Sequence, residues 1–397
     1  MTFTKPILLI FTLLFSFTAC SQHKTPIFVE YDEIVSGDQQ LNEYLPLLQN
    51  KAVGIVANHA SFINGTHLVD TLLKRGVNII SIFSPEHGFR GEEDAGSFIS
   101  DNKDSAIGIP IISLYGDHKK PTVEDLQNTD VVLFDLQDVG VRFYTYISTL
   151  TYIMEACAEN DVPMIVLDRP NPNGFYVDGP VLKEEFTSFV GLHKVPIVYG
   201  MTIGEYALMV NGEEWLKENL RCDLTIIPLR NYNHNYMVNL PIKPSPNLPN
   251  WEAVYLYPSL CLFEGTIMSV GRGTDYPFQV YGHPDFQNGN FMFIPESKPG
   301  ATNPKYKGIE CNGQNLVDYA KYYDKTPPKI NLTWLIKSYK MLSPNHEFFI
   351  SYFDKLAGTD ELRKQIESGL TEIEIRESWQ KDIDDFKKIR EKYLLYD

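Results

Sequence analysis

The sequence lacks the short motifs of several large enzyme classes. It contains no G-x-G-x-x-G dinucleotide fingerprint, no P-loop and no G-x-S-x-G nucleophile elbow. It also contains no H-E-x-x-H zinc motif. These absences argue against a nucleotide-dependent enzyme, a serine hydrolase of that type and a zinc protease. We expect no cofactor.

Cysteine is scarce, with five in 397 residues. Cys157, Cys222, Cys261 and Cys311 lack the short paired spacing of a zinc site and are too few for a disulfide scaffold. We predict that they are buried as small apolar side chains, and pairing between them remains an alternative.

Positive charge is also limited. The chain carries 35 Lys and Arg against 51 Asp and Glu, a formal net charge of −16, and has no basic run. Such a surface repels nucleic acid and anionic lipid, so neither is expected as a partner.

The first residues resemble an export signal. Lys5 precedes an apolar run over 7–17, and Thr18 and Ala19 precede Cys20. This run is too short for a finished membrane span. We predict a signal peptide over 1–19 and lipidation of Cys20, which would make the protein an exported, periplasmic, membrane-anchored lipoprotein. Cleavage nearby without lipid is the alternative.

Short apolar runs alternate with helical patterns along most of the chain. After a spacer and lead-in helix over 20–50, this alternation predicts an α/β fold with a Rossmann-like, doubly wound, mainly parallel sheet over 51–240. Four prolines over 241–250 form a stiff connector. The remainder, 251–397, is predicted to be a second, smaller α/β domain that completes a cleft. The predicted strands lie at 52–57, 77–83, 110–115, 131–134, 164–167 and 224–229.

Ionisable side chains follow four of these strands. Because carboxyl ends of parallel strands share one edge, we expect these side chains to converge there. Turn formation by solvated charges is the alternative. The side chains are His59, then Glu86 with His87 and Arg90, then Asp135 with Asp138 and Arg142, then Asp168 with Arg169.

A metal site is the less favoured use of the histidines. His59, His67 and His87 could join carboxylates around an ion. His67, however, falls within the predicted helix, a turn or more from the sheet edge. Capping and hydrogen-bonding histidines are commoner, so no metal is predicted.

Acid–base chemistry in an aromatic groove suits a sugar substrate, because sugar rings stack on aromatic faces and hydroxyls bond to polar side chains. Glycoside hydrolysis needs a carboxylic acid that protonates the leaving oxygen. Glu86 is the candidate acid, with Asp135 and His59 as further catalytic candidates. Burial or a second carboxylate would raise the pKa of Glu86.

Several ordered motifs resemble one family, DUF1343, and the resemblance runs from about Lys51 onward. They are S-P-E-H-G-F-R-G at 84–91, D-L-Q-D-V-G-V-R-F-Y-T-Y at 135–146, D-R-P-N-P at 168–172, G-M-T-I-G-E at 200–205, P-S-L-C-L-F-E-G-T at 258–266, S-V-G-R-G-T at 269–274 and Y-L-L-Y at 393–396. The family includes exo-β-N-acetylmuramidases that act on peptidoglycan fragments. The resemblance implies a Rossmann-like domain with an auxiliary domain, and Glu86 as the catalytic glutamate.

The implied substrate, N-acetylmuramic acid, carries a lactyl carboxylate, so its pocket requires a cation. Arg142 and Arg272 are the candidates, and a domain-interface ion pair is the alternative for each. The further substrate-binding candidates are His87, Arg90, Asp138, Asp168 and Arg169 at the strand exits, and Tyr144 and Glu264 within the matched motifs. A non-catalytic muropeptide-binding lipoprotein and another exo-β-hexosaminidase remain alternative functions. The stereochemical outcome and the oligomeric state stay open.

Overall fold

The computed structural model describes residues 26–85, 88–89, 108–322 and 328–397, and the backbone of 102–103. Glu86, His87, Arg90 and Cys20 lie outside the described residues, as does the predicted signal peptide. Within the described part of the chain, no helix has the length and apolar character needed to cross a bilayer.

The first domain is built on a seven-stranded sheet. Its strands are β2 (Ala52–Ala57), β5 (Asn78–Ser84), β6 (Asn102–Lys103), β7 (Pro110–Ser113), β8 (Val131–Asp135), β9 (Met164–Leu167) and β10 (Leu224–Ile227). Two small ribbons flank it: β1 (Ile27–Glu30) pairs in parallel with β11 (Tyr236–Asn239), and β3 (Phe62–Ile63) pairs with β4 (Thr66–His67).

The strand order is β10-β9-β8-β2-β5-β7-β6, and all neighbouring pairs except β6 with β7 are parallel. Read along the chain, the six parallel strands follow the order of dinucleotide-binding sheets, and the direction of winding reverses between β2 and β8. The predicted doubly wound, mainly parallel sheet is confirmed. Continuous apolar runs made it recognisable, because β8 and β9 are buried along their whole length.

Helices cover the sheet. The first domain contains α1 (Leu41–Leu48), α2 (Leu68–Lys74), α3 (Tyr146–Glu159) and α4 (Ile203–Gly212). Thr202 and Glu205 form a reciprocal capping box that starts α4. The segment 121–126, where the sequence analysis of Pro121 to Leu126 indicates the start of a short helix, forms turns. Val123 is exposed, so a helix there would have little apolar face to pack.

The second domain combines a small antiparallel sheet with helices. Its strands are β12 (Val280–His283), β13 (Phe291–Phe293) and β14 (Cys311–Asn315), in the order β12-β14-β13. Its helices are α5 (Trp251–Leu260), α6 (Val317–Ala320), α7 (Leu332–Leu342), α8 (Tyr352–Ala357), α9 (Glu361–Glu367) and α10 (Glu372–Arg390). In α10, Ile375, Trp379, Ile383 and Phe386 form a buried stripe at helical spacing.

Cys157, Cys222, Cys261 and Cys311 are free and buried, as predicted.

Candidate active site

A cleft of about 530 Å³ lies between the two domains. The first domain lines it with Tyr115, Phe143, Tyr144, Thr145 and Phe189, the connector with Ser245 and Asn247, and the second domain with Tyr257, Glu264, Arg272, Asn303 and Tyr352. Aromatic rings alternate with groups that donate and accept hydrogen bonds. This combination can hold a sugar ring and its hydroxyls.

The first-domain wall follows the carboxyl ends of the strands. The backbone N–H of Leu114 donates to the Ser84 carbonyl at 2.8 Å, which joins the ends of β5 and β7. Tyr115, the next residue, lines the cleft. Glu86 follows Ser84 by two residues and lies outside the described part of the chain. The strand that leads to Glu86 therefore ends beside the cleft wall.

Glu264 and Arg272 form an ion pair in the second-domain wall. Nε of Arg272 donates to Oε1 of Glu264 at 2.7 Å, and Nη2 donates to Oε2 at 3.3 Å. The guanidinium lies 5.1 Å from the centre of the Phe278 ring. Both side chains remain about a quarter exposed, at 25% and 24%. The pair can accept a hydroxyl through Glu264 and bind an anion through the remaining donor, Nη1.

Tyr144 lies on the floor of the cleft. Its hydroxyl donates to the Pro244 carbonyl at 2.7 Å, and burial raises its pKa well above the usual value. The ring packs edge-on against Tyr146 and Tyr257. A neutral, fixed phenol of this kind joins the connector to the first domain, and Tyr144 lines the cleft.

The carboxylate of Asp135 is fully buried in an ion pair. Nε and Nη2 of Arg169 donate to its two oxygens, each at 2.7 Å. Arg169 also lies 3.3 Å from Asp38 and donates to the Tyr31 hydroxyl at 3.2 Å. This arrangement corrects the predicted catalytic role of Asp135 and the predicted ligand role of Arg169. Their charges neutralise each other where no substrate can reach them.

Asp168 is also buried, and both of its carboxylate oxygens accept hydrogen bonds within the protein. It accepts hydrogen bonds from the Thr202 hydroxyl at 2.8 Å, the Gly204 backbone at 2.8 Å and the Tyr396 hydroxyl at 2.6 Å. Burial raises its pKa to about 7. Asp168 therefore fastens the end of β9 to the start of α4 and to residue 396, which corrects its predicted substrate-binding role.

Residues near 395–397 complete this edge of the sheet. The Leu395 N–H donates to Oε1 of Glu205 at 2.8 Å, and the His234 N–H donates to the Asp397 carbonyl at 2.8 Å. On the opposite flank, the Gly37 N–H donates to the Asp168 carbonyl at 2.9 Å. Segments from both ends of the described chain thus cover the carboxyl ends of β8 and β9.

Asp138 stabilises the turn after β8. Its Oδ2 accepts from the Gly140 N–H at 2.7 Å and from the Tyr199 hydroxyl. Burial raises its pKa to about 6, although both hydrogen bonds favour the charged form. Because only 2% of the residue is exposed, the predicted contact with substrate is wrong.

Arg142 is fully buried beneath the first-domain wall. It donates to the backbone carbonyls of Pro180 at 2.9 Å, Val195 at 2.7 Å, Leu356 at 3.1 Å and Ala357 at 2.7 Å. Both terminal nitrogens are therefore occupied. Arg142 connects the two domains and does not reach the cleft, which corrects the prediction that it binds the lactyl carboxylate.

The two histidines near β2 have structural contacts. His59 Nε2 lies 2.9 Å from the Lys243 carbonyl, so this ring contacts the connector. The catalytic role of His59 stays a prediction. His67 precedes α2, where its Nδ1 accepts from the Val69 N–H and its Nε2 lies 2.9 Å from the Asn58 carbonyl. The prediction that it lies within the helix is wrong.

One group in the second domain has ligand atoms close enough for a metal ion. Those of His283, Asp285 and His346 lie within 4.8 Å of one another. The Asp285 N–H donates to His283 Nδ1 at 3.0 Å, which places the proton of a neutral His283 on Nε2. That proton opposes metal binding through Nε2. We interpret the group as a hydrogen-bonded network with a His346–Asp285 contact of 3.0 Å.

Tyr144, Glu264 and Arg272, which the sequence predicts to bind substrate, line the cleft. Sequence reasoning missed Tyr115 and Phe189. The position of Tyr115 in the cleft could have been predicted, because this residue ends a predicted strand beside the one that leads to Glu86. The position of Phe189 could not, since this residue lies in a loop without regular pattern.

Family models cover both walls of the cleft. The model described as exo-beta-N-acetylmuramidase NamZ, N-terminal, matches residues 53–252, and its C-terminal counterpart matches residues 255–396. A curated protein of Bacillus subtilis (strain 168), named peptidoglycan beta-N-acetylmuramidase NamZ, is 39% identical over 386 residues. The match covers 90% of this chain and 90% of that protein.

Two crystal structures of DUF1343 family proteins from Bacteroides fragilis NCTC 9343 have the same fold. The first, at 1.30 Å resolution, is 47% identical with a TM-score of 0.84, and the match covers 91% of this chain and 99% of that one. The second, at 1.65 Å, is 29% identical with a TM-score of 0.75, and covers 92% and 99%.

Proposed function

Because this chain belongs to the NamZ family of exo-β-N-acetylmuramidases, we propose that Glu86 is the general acid of a hydrolase that releases terminal, non-reducing N-acetylmuramic acid from peptidoglycan fragments. The chain is a glycoside hydrolase. The observation that carries the proposal is that family similarity extends over both domains and hence over both walls of the cleft.

Glu86 is supported by position and chemistry. It follows β5, whose end is hydrogen-bonded beside Tyr115 in the cleft wall. A general acid must be protonated when the glycosidic oxygen leaves, and a partly apolar wall raises a carboxyl pKa for that purpose. Asp135 is unavailable as a partner, since Arg169 occupies both of its oxygens.

Substrate recognition is assigned to the second-domain wall. Nη1 of Arg272 donates to the lactyl carboxylate, and Glu264 accepts from sugar hydroxyls while holding the guanidinium in place. Tyr144 presents its ring to the sugar. An ordinary hexosaminidase needs no such cation, so preference for the carboxylate-bearing sugar distinguishes the two activities.

Export is part of the proposal. The apolar run before Cys20 would direct the chain across the inner membrane, and lipid on Cys20 would anchor it in the periplasm, where peptidoglycan fragments arise.

The test is release of reducing muramic acid from the disaccharide MurNAc–GlcNAc by wild type and Glu86→Gln. We expect E86Q to lower kcat by about two to four orders of magnitude, the usual effect of losing a general acid, while substrate still binds. Asp117→Asn is the matched control, because Asp117 is an exposed carboxylate after β7 that does not line the cleft. Activity of E86Q within a few-fold of wild type would remove Glu86 from the catalytic role.

A further inference from the structure

A lysine and three aromatic rings form a cluster at the first-domain wall, here called the lysine–aromatic wall. It consists of Tyr115, Lys119, Tyr152 and Phe189. Tyr115 and Phe189 line the cleft, and Lys119 and Tyr152 pack against Phe189 from outside the lining, with the Lys119 ammonium over the Phe189 ring, 5.2 Å from its centre. None of the roles assigned above uses this group.

Phe189 is held firmly in place. It lies in a two-residue turn closed by reciprocal backbone hydrogen bonds between Ser188 and Gly191, both at 2.9 Å. The Tyr152 ring is nearly parallel to it, at 6.1 Å and 11°. The Tyr115 ring meets it edge-on at 6.4 Å. A fixed ring is a suitable platform both for a sugar and for a cation.

Lys119 is positioned by its sequence neighbours. His118 lies 2.9 Å from an Asp125 oxygen, and Lys120 pairs with Glu159 at 2.7 Å and with Glu155 at 3.2 Å. Both neighbours are thus tied to carboxylates. Across the described ranges of the chain, Lys119 has no ion-pair partner, and it is half-buried against Phe189. In a protein of net charge −16, a lysine that is kept apart from carboxylates and packs on a cleft-lining ring can attract an anion.

We infer that the lysine–aromatic wall binds the part of the substrate beyond the scissile bond, with Lys119 contacting a carboxylate of that part. This inference rests on the proposed function, which assigns the terminal sugar to Arg272 on the other wall. Muramic acid occurs at every second sugar of the glycan, so the next anion lies one sugar past the leaving N-acetylglucosamine. The enzyme therefore selects acidic glycans longer than a disaccharide. Two sources supply this carboxylate, a free lactyl group or the stem peptide attached to it.

The test measures the ratio of kcat/KM between a long and a short substrate. Wild type and Lys119→Met are assayed on an aryl β-N-acetylmuramide, which ends at the first sugar, and on the tetrasaccharide (MurNAc–GlcNAc)₂ with free lactyl groups. Two further tetrasaccharides are assayed. In one the internal lactyl group is converted to its amide, and in the other it carries a stem peptide. We expect K119M to lower the ratio of kcat/KM between tetrasaccharide and aryl substrate by about three- to tenfold, through KM, because one partly exposed charged contact is lost. Lys119→Arg should restore most of the ratio.

Lys194→Met is the control for the change in net charge, since Lys194 is 66% exposed and its one ion pair among the described residues is with Glu184. Loss of the K119M effect on the amide identifies the free lactyl group as the anion, and an effect confined to the peptide-bearing tetrasaccharide identifies the stem peptide. An equal ratio in wild type and K119M with every acidic tetrasaccharide overturns the inference. Failure of wild type to cleave the aryl muramide would instead count against the proposed function.

Discussion

Arg142 donates a hydrogen bond of 2.7 Å to the backbone carbonyl of Ala357, 215 residues further along the chain. The contact joins the segment after β8 to the end of α8, and so joins the two domains that form the cleft. The same guanidinium holds the carbonyl of Val195, near the turn that carries Phe189. A residue with these contacts determines how the walls are placed, although it touches no ligand.

Replacing Arg142 by methionine should destabilise the protein strongly. Four buried carbonyls would lose their donor, and we expect a fall of roughly 3–5 kcal/mol in the free energy of unfolding. Chemical denaturation of R142M against wild type measures this change. Any activity left in the folded fraction should fall equally for muramic acid and N-acetylglucosamine substrates. If R142M lost activity only with the carboxylate-bearing sugar, Arg142 would have to contact the substrate.

Replacing Arg272 by methionine should affect specificity. One charged hydrogen bond to the lactyl carboxylate contributes about 1.5–3 kcal/mol, so kcat/KM for a muramic acid substrate should fall by about one to two orders of magnitude. The same substrate with its lactyl group as an amide should lose much less. Equal losses on the two substrates would show that Arg272 acts through Glu264 and the wall alone.

The buried pair Arg169–Asp135 permits a double-mutant cycle. Arg169→Met leaves Asp135 and Asp38 buried without their cation and should cost about 3–5 kcal/mol in the free energy of unfolding. Asp135→Asn added to R169M should recover part of this loss, because one uncompensated charge is removed. Additive effects of the two substitutions in urea denaturation would contradict the pairing.

Asp138 should make stability depend on pH. Burial raises its folded-state pKa from 3.8 to about 6, so the folded protein binds this proton more tightly than the unfolded chain. The associated stability is fully present below about pH 4 and is lost as pH rises through about 6. The loss is at most about 3 kcal/mol, since one pKa unit corresponds to about 1.36 kcal/mol.

Asp138→Asn isolates this effect, because the amide cannot titrate. The difference in unfolding free energy between wild type and D138N should shift in favour of D138N between pH 4 and pH 7. Asp38 and Asp168 also have raised pKa values, of about 6 and about 7, but they are present in both proteins and cancel. A difference that stays constant over this range would show that Asp138 is ionised throughout.

Cys20 should carry lipid in the exported protein. Labelling with a palmitate analogue is expected in wild type and absent in Cys20→Ser, and processing should be sensitive to globomycin. A mature protein that begins at another residue and fractionates freely with the periplasmic contents would contradict lipidation while leaving export intact.

The fold was predictable because its strands are short, continuous apolar runs separated by helical patterns. β8 and β9 are buried throughout, and nothing but a covered parallel sheet accommodates such runs in this alternation. The rule that polar strand exits meet at one edge also held. Asp135 ends β8, Arg169 follows the adjacent strand β9, and the two side chains contact each other there.

The sequence could not show which residues at that edge face a ligand and which are buried inside the protein. Asp38 and Tyr31 cover Arg169, and Tyr396 covers Asp168, from positions more than a hundred residues away in the sequence. A strand exit that is buried by distant segments has the same local sequence as one that faces a ligand. Burial gave five predicted site residues structural roles: Asp135, Asp138, Arg142, Asp168 and Arg169. Similarity to the family motifs could not distinguish a buried strand exit from one that faces a ligand, since the motifs include structural residues.

The bonds from residues 395–397 have a consequence for folding during synthesis. Asp168 and Glu205 belong to the first domain, yet they obtain the Tyr396 hydroxyl and the Leu395 N–H only after almost the whole second domain has been translated. A nascent chain that has not yet reached residue 395 therefore lacks two donors for these buried carboxyl groups, and we expect its first domain to be less stable than in the longer chain. If the chain is exported as proposed, this late completion of the sheet edge would keep the precursor easier to unfold during translocation.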